Sequence, residues 1–187
     1  MEAEGRPFVS LLSVPHLCSQ VKDLLAQEWD MSAVGLDLSQ EEPVHDLHLP
    51  LVLLFIKNAN AKTPGDEGSQ DQVLAQACLE AFDAEHEELR DEAKIEDGSV
   101  MAQGLLTLLI VDRHHRAQGL GRRMVEELAR LASMLFGMSS LYLTCEQDKR
   151  GFYERCGFCF ITTAHEVEKG QHLLWMKRPL STRSHEK

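Results

Sequence analysis

The apolar residues of this chain lie in short runs and in helical stripes that polar turns separate. Runs of consecutive or alternating apolar residues are typical of buried strands. They predict strands over residues 8–12, 49–56, 100–111, 141–145, 158–162 and 173–176. Residues 73–82 fit a helix or a strand, and their place between two predicted strands favours a strand.

Two stretches have apolar residues at the spacing of an amphipathic helix, and a third, shorter stretch is predicted as a helix that contains Phe152 and Tyr153. Pro15 suits the first turn of the first helix, while Gly137 and Gly157 suit the ends of the other two. The second helix lies between two predicted strands, so we expect a β-α-β unit with parallel strands. Ligands of such units bind at the carboxyl ends of the strands. The predicted helices span residues 15–29, 120–136 and 148–156.

Composition adds an expectation about class and location. The chain has 187 residues, of which 43% are hydrophobic and 26% charged. These values predict a single globular domain over residues 1–187, with flexible polar ends at 1–7 and 181–187. The net charge of −11 argues against nucleic acid and an anionic membrane surface as partners. The apolar runs are too short to span a membrane. The five cysteines favour free thiols and a cytoplasmic or nuclear protein.

Much of the negative charge lies in one segment, residues 83–97, where eight acidic residues accompany Arg90 and Lys94. A charge run of this kind is typical of a solvated loop. The alternative interpretation is a surface that gates or recruits a basic substrate. The residues themselves leave both interpretations open.

The clearest candidate for chemistry is a basic turn over residues 112–121, which contains Arg116, Gly119 and Gly121. Glycines let the backbone approach a ligand, and the N–H groups and dipole at a helix start favour an anion. Met124 stands where a Rossmann fingerprint needs its third glycine, and no lysine follows the glycines as in a Walker A loop. The turn therefore predicts a phosphate or pyrophosphate site of another type.

The spacing Arg116-x-x-Gly119-x-Gly121 resembles the acetyl-CoA signature Q/R-x-x-G-x-G/A of the GNAT (Gcn5-related) N-acetyltransferases. A second segment, Gly151–Phe158, resembles the FYE(K/R)xGF segment that follows it in that family. The resemblance implies the GNAT α/β fold, a mostly antiparallel central sheet with one parallel, splayed strand pair and flanking helices. Within the family, the arrangement is most similar to the N-terminal acetyltransferase that modifies processed actin.

The resemblance implies an enzyme, an acyltransferase that moves an acetyl group from acetyl-CoA directly to a primary amine. It implies acetyl-CoA as the cosubstrate and no metal. We expect the amine to be a protein or peptide N-terminus. Two alternatives stay open, a small-molecule amine acetyltransferase and a catalytically silent module that binds acetyl-CoA.

The resemblance also assigns cofactor contacts. Backbone groups at the end of a strand would hydrogen-bond the pantetheine arm, and their positions match Leu109, Ile110 and Val111. The pyrophosphate would lie on the following turn, where the two arginine side chains add donors. That turn consists of Arg116, Ala117, Gln118, Gly119, Leu120, Gly121 and Arg122.

Tyr153 matches the tyrosine that the family places near the thioester sulfur. Its phenol would donate a proton or a hydrogen bond to the departing CoA thiolate. Thr107 lies at the position where many members carry a glutamate, so the base that deprotonates the amine stays open. Its candidates are His114, His115, His165, His172 and Glu146.

Overall fold

The computed structural model describes residues 8–29, 49–57, 71–82, 102–164 and 173–180. Unbroken apolar runs form the buried strands, and the amphipathic stripes form the helices. The strands are β1 (Val9–Ser10), β2 (Leu51–Lys57), β3 (Gln72–Ala81), β4 (Gln103–Val111), β5 (Ser140–Glu146), β6 (Cys159–Ala164) and β7 (Leu173–Pro179). The α-helices are α1 (Cys18–Leu25), α2 (Leu120–Phe136) and α3 (Arg150–Arg155).

The strands of the described residues form one mixed sheet in the order β1-β2-β3-β4-β5-β7-β6. β1 pairs with β2, and β7 pairs with both β5 and β6, in each case antiparallel. β4 and β5 are parallel, and their ladder ends at the pair Leu105–Tyr142 although both strands continue. The mixed sheet with one parallel pair and flanking helices confirms the predicted fold class.

The described residues divide into two compact units. The first unit comprises those within 1–78 and 108–124, and the second comprises those within 79–107 and 125–187. The core of the first unit forms where the apolar stripe of α1 packs against strands. Gln20 ties α1 to the start of β3, because its side chain donates to Asp71 O at 2.9 Å and accepts from Val73 N at 3.0 Å. The core includes Leu17, Val21, Leu24, Leu25, Val52, Leu54, Ile56 and Ile110.

The second unit contains an aromatic cluster. Tyr142 stacks on Phe82 with ring centroids 4.3 Å apart, and Phe82 meets Trp175 edge-on at 6.0 Å. Gly104 of β4 is required by the packing of this unit, because a Cβ atom there would lie 2.6 Å from Met138 Sδ. This close approach explains why a glycine interrupts the apolar run of β4.

Two predicted elements end clearly earlier than the pattern suggested. The first strand, predicted over residues 8–12, ends at Ser10, whose Oγ accepts from Leu12 N at 3.3 Å and caps a 3-10 turn. The first helix, predicted over 15–29, is α-helical only to Leu25. Its continuation tightens into turns, and Trp29 is 38% exposed and not part of the buried stripe. Local hydrogen bonds therefore overrode the apolar periodicity at both ends.

Other predictions hold. The ambiguous residues 73–82 lie in strand β3, apart from Phe82 directly after its end, and α2 spans the predicted residues. Gly137 and Gly157 follow their helices at positive φ angles of 63° and 84°. All five cysteines lie in the described part and are free thiols. No helix of the described residues is long and apolar enough to cross a membrane. The predictions on residues 1–7, 83–97, 100–101 and 181–187 lie outside the described residues.

Candidate active site

The predicted anion-binding turn connects β4 to α2 in the first unit. Asp112 begins a short 3-10 turn, and its Oδ1 accepts from His114 N at 2.9 Å. The chain then bends through Ala117 and Gly119, which have positive φ angles of 60° and 79°, and enters α2 at Leu120. The N–H groups of the first helical turn have no acceptor within the helix. They therefore remain available to an anion at the position that the motif predicted.

Three arginines at or after the glycine-containing part of this turn, Arg116, Arg122 and Arg123, differ in what they contact. Arg116 Nε donates to Val111 O at 3.0 Å, and its Nη2 pairs with Glu28 at 2.5 Å. The Arg123 guanidinium lies over the ring of Phe55, 4.8 Å from its centroid. Arg122 is exposed and has no hydrogen bond or ion pair with another described residue. Of the three, Arg122 is therefore the one whose guanidinium is available to a phosphate.

Asp112 holds the start of the turn in place. Its carboxylate lies 3.0 Å from His115 Nδ1 and accepts from Gln27 Nε2 at 3.3 Å, while its backbone N–H donates to Leu74 O at 2.8 Å. Burial alone would raise the pKa of Asp112, but the hydrogen bonds from His115, Gln27 and the His114 backbone outweigh it and lower the pKa. The carboxylate is thus ionised and ties the turn to the residues that follow α1.

The end of β4 contains a strained residue. Leu108 has a φ angle of 50°, which is uncommon for a residue with a side chain. Its carbonyl accepts from Gln76 Nε2 at 2.7 Å, and Gln76 is fully buried. The residues after it, predicted to contact pantetheine, are the buried Ile110 and the half-buried Leu109 and Val111. Gln76 was missed by the sequence reasoning, although a lone polar residue inside an apolar strand is a signal for a buried hydrogen bond.

Tyr153 lies on α3 in the second unit and is half-buried. Its ring meets those of Phe152 and Phe158 edge-on, at 4.9 Å and 5.9 Å. Burial raises the pKa of Tyr153 well above its usual value, and the nearby Cys145 and Cys156 raise it further. Within the described part of the chain its hydroxyl has no hydrogen-bond partner. The phenol is therefore protonated and has a proton to share with a ligand.

A second polar pair of this unit was not predicted. Thr107 Oγ1 of β4 donates a hydrogen bond to Glu80 Oε1 of β3 at 2.5 Å. Both residues are half-buried. Thr107 marks the position where a glutamate was expected from the family pattern, and the structure places the carboxylate of a neighbouring strand against it. The sequence offered no signal for this pair, because it depends on how β3 and β4 align.

The predicted base candidates have different surroundings. His114 is exposed, and His115 uses Nδ1 to contact Asp112. Glu146 is exposed at the end of β5. His165 and His172 lie outside the described residues. No cluster of three or more His, Cys, Asp or Glu residues within the described ranges could hold a metal ion.

Comparisons with known proteins agree with this geometry. A family model described as an acetyltransferase (GNAT) domain matches residues 69–159. Probable glucosamine 6-phosphate N-acetyltransferase 2 of Oryza sativa subsp. japonica is 30% identical over 168 residues, covering 87% of this chain and 75% of that protein.

Solved structures share the fold at low sequence identity. Arabidopsis thaliana NAA60 in complex with acetyl-CoA superimposes with a TM-score of 0.64 at 12% identity, covering 92% of this chain and 97% of that one. An aminoglycoside 6'-N-acetyltransferase complexed with coenzyme A gives a TM-score of 0.60 at 16% identity, covering 91% and 94%. These similarities show the architecture and leave the acetyl acceptor undetermined.

Proposed function

Because the chain belongs to the GNAT N-acetyltransferase family, we propose that it acetylates the amino group at a protein or peptide N-terminus. It is an acetyl-CoA-dependent N-acetyltransferase. The observation that supports an N-terminal acceptor is the similarity of Arg116–Gly121 and Thr144–Phe158 to the N-terminal acetyltransferase that modifies processed actin.

The turn between β4 and α2 binds the pyrophosphate of acetyl-CoA in this proposal. Backbone N–H groups of residues 116–122 supply the hydrogen bonds, and the dipole of α2 adds a favourable field. Arg122 supplies the charge-assisted contact, because its guanidinium has no described partner. The side chain of Arg116 is held by Val111 O and Glu28, so Arg116 helps to fix the shape of the turn.

The end of β4 holds the pantetheine arm and the thioester. Leu109, Ile110 and Val111 contribute backbone groups, because the ladder between β4 and β5 has already ended at Leu105–Tyr142. A backbone N–H near Val111 polarises the thioester carbonyl and stabilises the oxyanion of the tetrahedral intermediate. The strained Leu108 sets the direction of these last residues of β4.

The acetyl group moves directly from sulfur to nitrogen. A thiol nucleophile is disfavoured at Cys145, because burial, with Asp148 and Glu146 nearby, raises the pKa of its thiol to about 11. Tyr153 hydrogen-bonds the departing thiolate. Because burial raises the pKa of Tyr153, its phenol is a weaker acid than the CoA thiol. It therefore stabilises the thiolate by a hydrogen bond and keeps its proton.

A second acceptor class is favoured by one observation. The relative with 30% identity is described as a glucosamine 6-phosphate N-acetyltransferase, whose acceptor is a small amine. Both classes present a primary amine to the same thioester. They differ in the length of acceptor that must be bound.

The proposal is tested by measuring acetyl-CoA consumption with two panels of acceptors. One panel contains peptides with varied N-terminal residues, including acidic ones, and the other contains amino sugars, polyamines and aminoglycosides. We expect turnover with a subset of the peptides, and blocking their α-amino group should abolish it. Turnover confined to the second panel would replace the N-terminal acceptor with a small amine. Binding of acetyl-CoA with no turnover in either panel would favour a binding module.

A further inference from the structure

Glu80 is a half-buried carboxylate with a hydrogen-bond donor but no counter-charge among the described residues. Glu80 Oε1 accepts a hydrogen bond from Thr107 Oγ1, and Glu80 Oε2 has no partner among the described residues. Lys177 forms no ion pair with it, because its ammonium lies over the ring of Tyr142, 5.4 Å from the centroid. A partly buried carboxylate in this state attracts a cation, and a protonated amine is a cation.

The pair lies where the parallel strands stop pairing. Thr107 follows Leu105, the last residue of β4 in the ladder, at the spacing that puts both side chains on one face of the strand. On β5, Tyr142 is the last residue of the same ladder. The Glu80–Thr107 pair of the second unit therefore lies next to the point at which the ladder between β4 and β5 ends.

The other candidate bases within the described residues are less suited to take a proton from an amine. His115 Nδ1 already contacts the carboxylate of Asp112, which holds the start of the turn between β4 and α2. His114 and Glu146 are exposed, so water solvates them and weakens their interaction with a substrate ammonium. Glu80 is half-buried, and Thr107 restricts its orientation. It combines partial desolvation with a held geometry.

We infer that Glu80, oriented by Thr107, is the group that binds the ammonium of the acetyl acceptor and removes its proton. This inference rests on the proposed transfer to a primary amine, and it holds for a peptide or a small amine alike. It assigns the base to β3, whereas the family pattern placed a carboxylate on β4.

The acceptor ammonium carries three protons, and the amide product keeps one. Glu80 takes the first and passes it to solvent, which leaves a neutral amine whose lone pair attacks the thioester carbon. The second proton passes from the nitrogen to solvent as the tetrahedral intermediate collapses. The carbon–sulfur bond then breaks with its electron pair on sulfur, where Tyr153 donates its hydrogen bond and solvent supplies the proton.

The test is the pH dependence of turnover in Glu80→Gln. This variant retains the size of the side chain and can still contact Thr107, but it cannot accept the proton. We expect kcat at pH 7 to fall about 100-fold or more, because general base catalysis contributes about 10²–10⁴-fold. Raising the pH to 9 should recover much of the loss, since more of the acceptor amine is then already neutral. Acetyl-CoA affinity and the thermal midpoint should match those of the wild type.

Two matched variants separate this role from a structural one. Thr107→Val removes the hydrogen bond that orients Glu80 and should lower kcat about tenfold, whereas Thr107→Ser should retain activity. Glu146→Gln, the exposed rival, should behave as the wild type. Wild-type activity in Glu80→Gln, or transfer of the pH signature to Glu146→Gln, would overturn the inference and leave the proposed function intact. Absence of wild-type turnover with every acceptor would overturn both.

Discussion

Two polar side chains of strand β3, Gln76 and Glu80, each contact a residue of β4. Gln76 is fully buried and donates to the carbonyl of Leu108, and Glu80 accepts from Thr107. A residue such as Leu108 with a positive φ angle costs about 1–3 kcal/mol and persists where its surroundings hold it. Gln76 supplies that restraint, because a buried amide must keep its hydrogen bond. Two single polar residues of β3 thus hold β4, the strand that leads to the turn before α2.

Tyr153 gives a prediction about a single hydroxyl. Tyr153→Phe keeps the ring that packs against Phe152 and Phe158 and removes only the donor. We expect kcat to fall about 10–100-fold, because a hydrogen bond to a charged group contributes about 1.5–3 kcal/mol. The dissociation constant of acetyl-CoA, measured by calorimetry, should change little, since the thiolate forms only during transfer. An unchanged kcat would remove Tyr153 from the chemistry.

Among the elements, α2 and the turn before it have the clearest functional role. The helix begins at Leu120, after two residues with positive φ angles, Ala117 and Gly119. Its first N–H groups have no acceptor within the helix and are available to a ligand. Arg116 and Arg123 are engaged by protein groups, and Arg122 is not. A count of basic residues in the sequence cannot make that distinction. The contacts in the structure predict that, of these three arginines, Arg122 contributes to cofactor affinity.

Arg122→Gln should weaken acetyl-CoA binding about tenfold or more, because it removes a charge-assisted contact to a phosphate. Arg130→Gln is the matched control, since it removes one positive charge from an exposed position further along α2, where Arg130 pairs with Glu127. Both variants should keep the wild-type thermal midpoint. The dissociation constants from calorimetry decide the matter, and equal constants for the two variants would contradict the assignment of the pyrophosphate site.

For the molecule as a whole, the stability should depend on pH through Asp112. Its side chain is 15% exposed, and its contacts join the phosphate turn to the chain after α1. The pKa of Asp112 is lower in the folded state than its ordinary value of 3.8. A group with a lowered folded-state pKa stabilises the fold above its unfolded-state pKa, and that contribution is lost as the pH falls through the folded-state value.

Asp112→Asn should therefore lower the free energy of unfolding by about 1–3 kcal/mol at pH 7, as expected for a half-buried charged acceptor that loses its charge. The difference from the wild type should shrink once the pH falls below the ordinary aspartate range. Urea unfolding of the variant and the wild type at pH 7 and pH 3 measures this difference in the free energy of unfolding. Asp148→Asn serves as the control, because its pair with Lys149 is exposed and contributes little. A difference that stays constant with pH would exclude Asp112 as the titrating group.

The sequence determined the features that depend on near neighbours. Apolar periodicity placed β2, β4, β5 and α2 close to their observed bounds. The spacing of apolar residues a few positions apart decides which face of an element is buried. The turn from Arg116 to Gly121 and the segment around Tyr153 indicate the family from the sequence alone. Periodicity did not predict the early ends of β1 and α1, since a few local hydrogen bonds compete with it there.

The tertiary structure decided which distant residues meet. The contacts of Glu80 with Thr107, Gln76 with Leu108, and Arg116 with Glu28 each join residues that lie far apart in the chain. They depend on strand register and on the path of the chain after α1, and a one-residue shift of a strand would send the side chain to the opposite face. For that reason the carboxylate beside Thr107 could be found only in the folded chain.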